Sequence, residues 1–201
     1  MIHRSEEFSQ AVEALVAEIE TRTDAEVVVV ASARSDTYAD VRYLAASVLT
    51  FASLALLIEL PVAVPPLWVM IDLVFIWLST AWICDADPIL SRLVSTRRKL
   101  SAVKEAAAAE FHVESVHATP NRTGLLVYLS ALEGRVEIIP DLGLEARIPT
   151  GRWAAAIDSF HHRDLDHFLG GLREMGTVLA EYVPKLEHDA IDLPNAPRIR
   201  S

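Results

Sequence analysis

The stretch YLAASVLTFASLALLIELPVAVPPLWVMIDLVFIWLSTAWIC, residues 43–84, decides the architecture of this chain. Only two of its residues carry a formal charge, Glu59 and Asp72, and such an apolar run cannot form the surface of a domain in water. As one continuous helix it would reach about 63 Å, about twice the ~30 Å hydrocarbon core of a bilayer. The stretch is therefore long enough to cross a membrane twice.

Prolines near the middle of the stretch mark the position of a turn. Pro61 and the pair Pro65 and Pro66 would interrupt the hydrogen bonding of any helix there. The sequence thus predicts two membrane-spanning helices, at about residues 43–58 and 67–84, closed by a very short loop. The lipid bilayer is the first expected partner.

Basic residues beside the predicted spans indicate their orientation. Five of them follow the second span: Arg92, Arg97, Arg98, Lys99 and Lys104. The loop between the spans has none, and Arg34 and Arg42 precede the first span. By the positive-inside rule both flanks should face the cytoplasm. We therefore expect a two-span membrane protein with both termini and the soluble domain in the cytoplasm.

Three runs outside the hairpin are typical of β-strands. Residues 26–31 (EVVVVA) are mostly β-branched and do not alternate with polar residues, as in a strand covered on both faces. Residues 124–130 (GLLVYLS) and 136–139 (VEII) flank Glu133 and Gly134, which favour a tight turn. We expect these two later strands to be antiparallel neighbours, and the first strand to lie parallel to the second.

Because the first strand has no partner ahead of the hairpin, the soluble domain is predicted to be discontinuous. Its two parts are residues 1–42 and 85–184, with the hairpin 43–84 inserted between them. Apolar periodicity predicts helices from Ser5 to about Arg22, from Asp87 to about Val113, from Thr150 onward, and from Asp164 to Pro184. The remaining residues, 185–201, show little periodicity and are expected to be extended or disordered.

Composition excludes several classes of function. The net charge of −10 argues against a nucleic-acid partner, which requires a concentration of Lys and Arg. The single cysteine, Cys84, excludes an intramolecular disulfide framework. The chain also lacks the usual phosphatase devices: a cysteine and arginine phosphate loop, an aspartyl nucleophile in an Asp-x-Asp pattern after a strand, and a glycine-rich phosphate cradle.

Three motifs lie within HATPNRTGLLVYLSALEGRVEIIPDLGLEARIPTGRW, residues 117–153. They are Arg-Thr-Gly at 122–124, opening a strand, Asp-Leu-Gly at 141–143, in a turn after the hairpin of strands, and Trp153 near the start of a helix. With them, this segment resembles the bacterial membrane branch of the TPM domain family, named after a thylakoid lumen protein, a photosystem II repair protein and a modulator of an invertebrate acetylcholine receptor. The upstream AEVVVVASARSDTYADV, residues 25–41, and the apolar hairpin resemble the same branch.

The resemblance implies a three-layer α/β/α fold with a short mixed sheet, interrupted by the transmembrane hairpin. It implies no single activity, since the family includes a plant acid phosphatase, a non-enzymatic receptor modulator and soluble members that resemble calcium binders. With the bacterial branch as the model, we expect a two-span protein of the inner membrane that acts as a non-catalytic interaction or assembly module at the cytoplasmic face. A metal-dependent phosphatase-like hydrolase is the alternative, and a calcium-binding or pH-sensing module is a second one.

Asp141 is the first candidate ligand residue, because it follows a strand, and ligand sites of α/β domains gather near strand ends. Calcium takes six to eight oxygen ligands, so Asp36 or Asp40 would have to lie beside it. Alternatively, the Asp141 side chain stabilises its own turn.

Further polar residues are candidates for chemistry. His117 close to Asp141 would suit a general base, and Asn121, like His117, resembles a position of the same family branch, although ordinary loop roles also explain both. Residues 161–167 (HHRDLDH) hold three histidines with Asp164 and Asp166, all of them metal-ligand types. Asp164 as a helix N-cap and solvated histidines explain this run without a metal.

Asp72 lies inside the second predicted span, where a carboxylate costs about 2.5–3.5 kcal/mol on insertion. Such a residue favours contact with another membrane protein or with a second copy of the chain. A position less than two turns from the interface would also reduce that cost. Transport is not expected, because two helices cannot enclose a pathway.

Overall fold

Strand β1, Glu26–Ser32, is buried along its whole length and lies inside a four-stranded sheet. The strand order is β3-β2-β1-β4, where β2 is Gly124–Ser130, β3 is Arg135–Pro140 and β4 is Arg198–Arg200. Strand β1 is parallel to both β2 and β4, whereas β2 and β3 are antiparallel. The pairing predicted for the first three strands is therefore confirmed, and the sheet is mixed.

The computed structural model describes residues 6–61, 64–119, 121–158, 160, 165–185 and 196–200. Its α-helices are α1 (Glu6–Glu20), α2 (Ala39–Glu59), α3 (Pro66–Ile83), α4 (Asp87–Leu93), α5 (Thr96–Val113), α6 (Leu142–Arg147), α7 (Thr150–Asp158) and α8 (Leu165–Tyr182). The chain forms two compact units, one of residues 1–36 with 100–201 and the other of residues 37–99.

The first unit is a three-layer α/β sandwich. Successive side chains of a strand point to opposite faces, so Val27 and Val29 of β1 pack on the side of α1 and α8. Val28 and Val30 pack on the opposite side, against α5. Helix α1 contributes an apolar stripe to its layer, made of Phe8, Val12, Leu15, Val16 and Ile19. The absence of alternation in β1 thus reflects helices on both faces of the sheet.

The second unit contains the two apolar helices, α2 and α3, which pack against each other. The ring of Tyr43 stacks on that of Trp77, with 5.4 Å between centroids, and the Trp77 Nε1–H donates to Ser47 Oγ at 3.3 Å. Arg42 and Asp85, which flank the helix pair, form an ion pair at 2.5 Å. These contacts join the two flanking ends, as a helical hairpin requires.

The helix predicted from Asp87 to Val113 is in fact two helices. Val94 has an extended backbone, with ψ at 125°, and ends α4. The Oγ of Ser95 then accepts a hydrogen bond from the backbone N–H of Arg98 at 3.3 Å and caps α5. Apolar residues continue at helical spacing through this break, so periodicity alone does not reveal it.

The end of the chain adds a strand that the sequence pattern does not show. Residues 186–195 of the predicted extended or disordered tail lie outside the described residues, but β4 follows them and pairs with β1. Arg198 and Arg200 form ion pairs with Glu110, in the last turn of α5, and with Glu114, the residue that follows this helix. These ion pairs join residues more than 80 positions apart and hold β4 beside α5. The local sequence has no apolar pattern that would predict the strand.

Candidate functional site

A buried carboxylate lies where the beginning of β2 meets α6. The Asp141 side chain is 2% exposed and accepts two hydrogen bonds of 2.8 Å from Arg122, one from Nε to Oδ2 and one from Nη2 to Oδ1. Its Oδ1 also accepts from the backbone N–H of Leu142 at 2.8 Å, which makes Asp141 the N-cap of α6. The side-chain hydrogen bond to Asp141 raises the pKa of Arg122. The two side chains form a bidentate pair.

The backbone around this pair is tightly packed. Arg122 has a left-handed conformation with φ at 55°, and its carbonyl accepts from the N–H of Gly143 at 2.9 Å. The N–H of Asp141 donates to the carbonyl of Gly124 at 2.8 Å. A Cβ at Gly143 would lie 2.3 Å from the carbonyl oxygen of Asn121. The Arg-Thr-Gly and Asp-Leu-Gly segments therefore form one substructure.

The predicted calcium set of Asp141, Asp36 and Asp40 is not assembled. Within the described residues, no three His, Cys, Asp or Glu side chains are grouped so that they hold one metal ion. Asp141 lies where β2 begins, whereas Asp36 comes after Ser32, at the opposite end of β1. Seven residues of strand separate these two ends of the sheet by about 20 Å. Asp141 instead serves its own segment, as the structural alternative expects.

His117 lies beside two rings of neighbouring segments. The centroid of its ring is 5.3 Å from that of His112 and 6.3 Å from that of Phe111. Its Nδ1 is buried and has no hydrogen-bond partner in the described structure. His117 thus packs against the last turn of α5.

Asn121 and Asp72 lie at separate places. Asn121 donates from Nδ2 to Oδ2 of Asp24 at 3.2 Å and so ties the segment before β2 to the segment before β1. Asp72 is exposed on α3 and has no hydrogen bond or ion pair with any residue that the structure describes.

The histidine- and aspartate-rich segment is described only from residue 165 onward. Residues 161–164, and with them the predicted ligand Asp164, lie outside the described residues. Asp166 is exposed in the first turn of α8, and with His167 it borders an open depression of about 290 Å³. No third metal-ligand side chain completes a group with these two in the described structure.

The sequence did not predict a polar network at the far end of the sheet. Ser35 Oγ donates to Ser130 Oγ at 2.9 Å and lies 3.2 Å from Tyr128 Oη. The Glu133 carboxylate accepts from Ser130 Oγ and from the backbone N–H of Ser35 at 3.2 Å. The spacing of Ser130 and Glu133 after a strand is the only local signal, because Ser35 is 95 residues away. The network fixes the exit of β1 to the turn between β2 and β3.

The two apolar helices present a large exposed surface. Helix α2 has one buried residue, Ala46, and α3 has none. The exposed side chains include Leu44, Val48, Phe51, Leu56, Trp68, Met70, Phe75 and Trp82. Both helices are long and apolar enough to cross a membrane. A continuous apolar surface of this kind indicates an apolar partner or solvent.

Comparison with known proteins supports the fold and assigns neither a family nor a function. No protein-family model matches the sequence, and no curated protein matches it either. Among solved structures, the fold is similar to the NMR structure of the BA42 protein from the psychrophilic bacterium Bizionia argentinensis. The TM-score is 0.58 at 15% sequence identity, and the match covers 97% of this chain and 94% of that chain.

The exposed apolar surface of α2 and α3 is the feature that the described residues leave uncovered. Arg122 and Asp141 compensate each other's charge, and Ser35, Ser130 and Glu133 bond to one another. The exposed apolar side chains of α2 and α3, by contrast, stay in contact with water unless a membrane or an apolar partner covers them.

Proposed function

We propose that this chain is a TPM-like α/β domain anchored in the bacterial inner membrane, where it acts as a non-catalytic interaction or assembly module at the cytoplasmic face. The proposal rests on one observation: two exposed apolar helices, α2 and α3, are inserted in the sequence between β1 and β2, which are neighbours in the sheet. A hairpin at this position returns the chain to the side from which it left, so both connections reach the same face of a membrane.

The lengths of the two helices support a membrane span. Helix α2 has 21 residues and α3 has 18, which correspond to about 31 and 27 Å against a hydrocarbon core of ~30 Å. Hydroxyl groups on α2 donate to carbonyls four residues earlier: Ser47 to Tyr43, Thr50 to Ala46, and Ser53 to Leu49. Polar groups bonded in this way are tolerated in lipid.

The distribution of charge supports the cytoplasmic placement. Positive charges follow α3, at Arg92, Arg97, Arg98 and Lys99, whereas the segment between α2 and α3 has no basic residue. Basic residues near span ends are retained on the cytoplasmic side.

The TPM-like character rests on the sequence resemblance, and the segments that carry it meet around Arg122 and Asp141. These residues use their polar groups to hold α6 and the start of β2, which favours a scaffold over a reaction centre. Asp72, exposed on α3, favours a partner within the membrane, either another membrane protein or a second copy.

Membrane anchorage is tested by extraction. Full-length protein is produced in bacteria, and the isolated membranes are washed at alkaline pH. We expect the protein to stay in the membrane fraction, and its release into the wash would overturn the anchor.

Orientation is tested by labelling single cysteines in a Cys84→Ser background. Glu59→Cys places a thiol at the last residue of α2, beside the loop to α3, and Thr96→Cys places one at the first residue of α5. An impermeant thiol reagent, added to cells with a permeabilised outer membrane, should label Glu59→Cys and leave Thr96→Cys unmodified. The reverse pattern would overturn the cytoplasmic placement.

The absence of catalysis is tested on the full-length protein purified in detergent. A generic phosphate ester is supplied with divalent metal, and an Asp141→Asn variant serves as the reference. We expect no turnover that depends on Asp141. Metal-dependent hydrolysis that Asp141→Asn abolishes would establish the hydrolase instead.

A further inference from the structure

A groove runs along α2 at the flanking end of the helical hairpin. Its lining includes Val41, Leu44, Val48, Leu49 and Ala52 of α2, and Leu93 of α4, and it encloses about 450 Å³. All of these side chains are apolar. From Val41 to Ala52 the helix rises about 16 Å, which is about half the ~30 Å hydrocarbon core. The groove therefore has the length of one lipid leaflet.

Basic residues lie beside Leu93, which lines the groove, and beside the first turn of α2. Arg92 precedes Leu93 directly, and α5 begins three residues after Leu93. In its first turn, Arg98 Nη2 lies 4.0 Å from Oδ2 of Asp40, the neighbour of Val41. The basic start of α5 thus lies beside the start of α2, where the groove begins.

Most of this positive charge is uncompensated. Arg92 and Arg97 are exposed and have no carboxylate partner among the described residues. The Nζ of Lys99 donates to the carbonyl of Ser91 at 2.5 Å, which satisfies a hydrogen bond and leaves the charge unpaired. An apolar groove with unpaired basic side chains beside it is complementary to an amphiphile that has an anionic head and an apolar chain.

We propose that this groove binds an anionic phospholipid, with one acyl chain along α2 and the headgroup phosphate on Arg92 and Arg97. This inference rests on the proposed membrane anchorage and adds a ligand class to it. A basic residue near an anionic lipid surface raises affinity about fivefold, so two of them account for a preference of roughly 30-fold. The groove supplies the contact with the chain, which a free phosphate does not have.

The test uses full-length protein in a zwitterionic detergent, titrated with phosphatidylglycerol and with phosphatidylcholine of the same acyl chains. Native mass spectrometry counts the bound lipids. We expect tighter binding of phosphatidylglycerol, and a loss of about 5- to 30-fold of that affinity in Arg92→Gln/Arg97→Gln, with phosphatidylcholine unaffected. Arg147→Gln, which removes an exposed arginine on α6, is the matched control and should change neither affinity.

A second variant tests the groove itself. Ala45→Phe fills it, since Ala45 belongs to its lining, and should weaken the binding of both lipids. Soluble glycerol phosphate should not displace bound phosphatidylglycerol, and displacement would remove the role of the acyl chain. Equal affinity for the two lipids, or a preference that survives Arg92→Gln/Arg97→Gln, would overturn the proposal.

Two further outcomes distinguish a lipid site from a protein contact and from a failed membrane anchor. If Ala45→Phe changes the oligomeric state and leaves lipid binding intact, the groove is a contact between protein chains and the lipid proposal is wrong. Alkaline extraction of the unmodified protein is measured in parallel. Release of the protein would overturn the anchorage and the lipid site together, whereas retention without lipid preference would overturn the lipid site alone.

Discussion

Arg122 reaches Asp141 with two side-chain nitrogens, each at 2.8 Å, while its own backbone is left-handed with φ at 55°. Replacing Arg122 by alanine leaves a buried carboxylate without its cation. Because the Arg122 side chain is 49% exposed, water replaces part of the interaction. We expect Arg122→Ala to lower the midpoint of chemical denaturation of the full-length protein in detergent, because the buried Asp141 carboxylate loses two hydrogen bonds.

A glycine variant at position 122 separates the effect of the lost side chain from the effect of backbone strain on stability. Arg122→Gly removes the same side chain but accepts the left-handed conformation without strain, so it should be about 1 kcal/mol more stable than Arg122→Ala. Arg147→Ala should stay within about 0.5 kcal/mol of the unmodified protein. Equal stability of the alanine and glycine variants at position 122 would contradict the strained backbone.

Gly143 approaches the chain before β2 too closely for any side chain. A Cβ there would lie 2.3 Å from the carbonyl oxygen of Asn121 and 2.6 Å from that of Arg122. Gly143→Ala should therefore lower the free energy of unfolding by about 1–3 kcal/mol. Gly151→Ala is the control, because a Cβ at Gly151 meets no atom within 4 Å, and it should raise stability by about 0.5–1 kcal/mol. A similar effect at both positions would be inconsistent with the packing described.

Glu137, on β3, makes stability depend on pH. Desolvation by burial raises the pKa of this carboxyl above its ordinary value of 4.5, although Lys104 and Arg135 act in the opposite direction. The folded protein then binds more protons at Glu137 than the unfolded chain does, so this contribution to stability is present below pH 4.5 and is lost as pH rises through the folded pKa. Stability relative to Glu137→Gln should fall from pH 4.5 upward and then level off. A relative stability that increases with pH would contradict this assignment.

Asp72 should matter for association within the membrane and not for insertion. We expect Asp72→Leu to stay in alkaline-washed membranes but to lower the yield of cross-linked complexes by about 3- to 20-fold, as expected when a polar contact between membrane helices is lost. Met70→Leu, an exposed apolar change on the same helix, is the control. Cross-linking that is identical in the Asp72 variant would exclude a contact at this residue.

Much of the sheet was predictable because its signals are local. The unbroken valines of β1 require cover on both faces, and Glu133 with Gly134 closes β2 onto β3. Strand β4 was not predictable, since Arg198 and Arg200 find Glu110 and Glu114 through the fold.

The structure does not bring the residues of the predicted calcium site together, because the strands that precede them run in opposite directions. Asp36 and Asp141 both follow strands, but β1 and β3 run in opposite directions, so their carboxyl ends lie at opposite edges of the sheet. The strand directions themselves were predictable from the sequence. They place Asp36 and Asp141 at opposite ends of the sheet, so the predicted topology is inconsistent with the predicted calcium site. The Ser35, Ser130 and Glu133 network was not predictable because its members meet only once β1 lies beside β2.

The register of the sheet also sets an order of events during synthesis. Val28 lies opposite Leu126, so a nascent β1 has to wait for 98 further residues before its neighbour exists, roughly 5–20 s at ordinary translation rates. The whole hairpin leaves the ribosome during that interval. In the proposed setting, α2 and α3 therefore enter lipid while the sheet is still unformed, and the exposed valines of β1 must be shielded at the membrane surface until β2 has been synthesised.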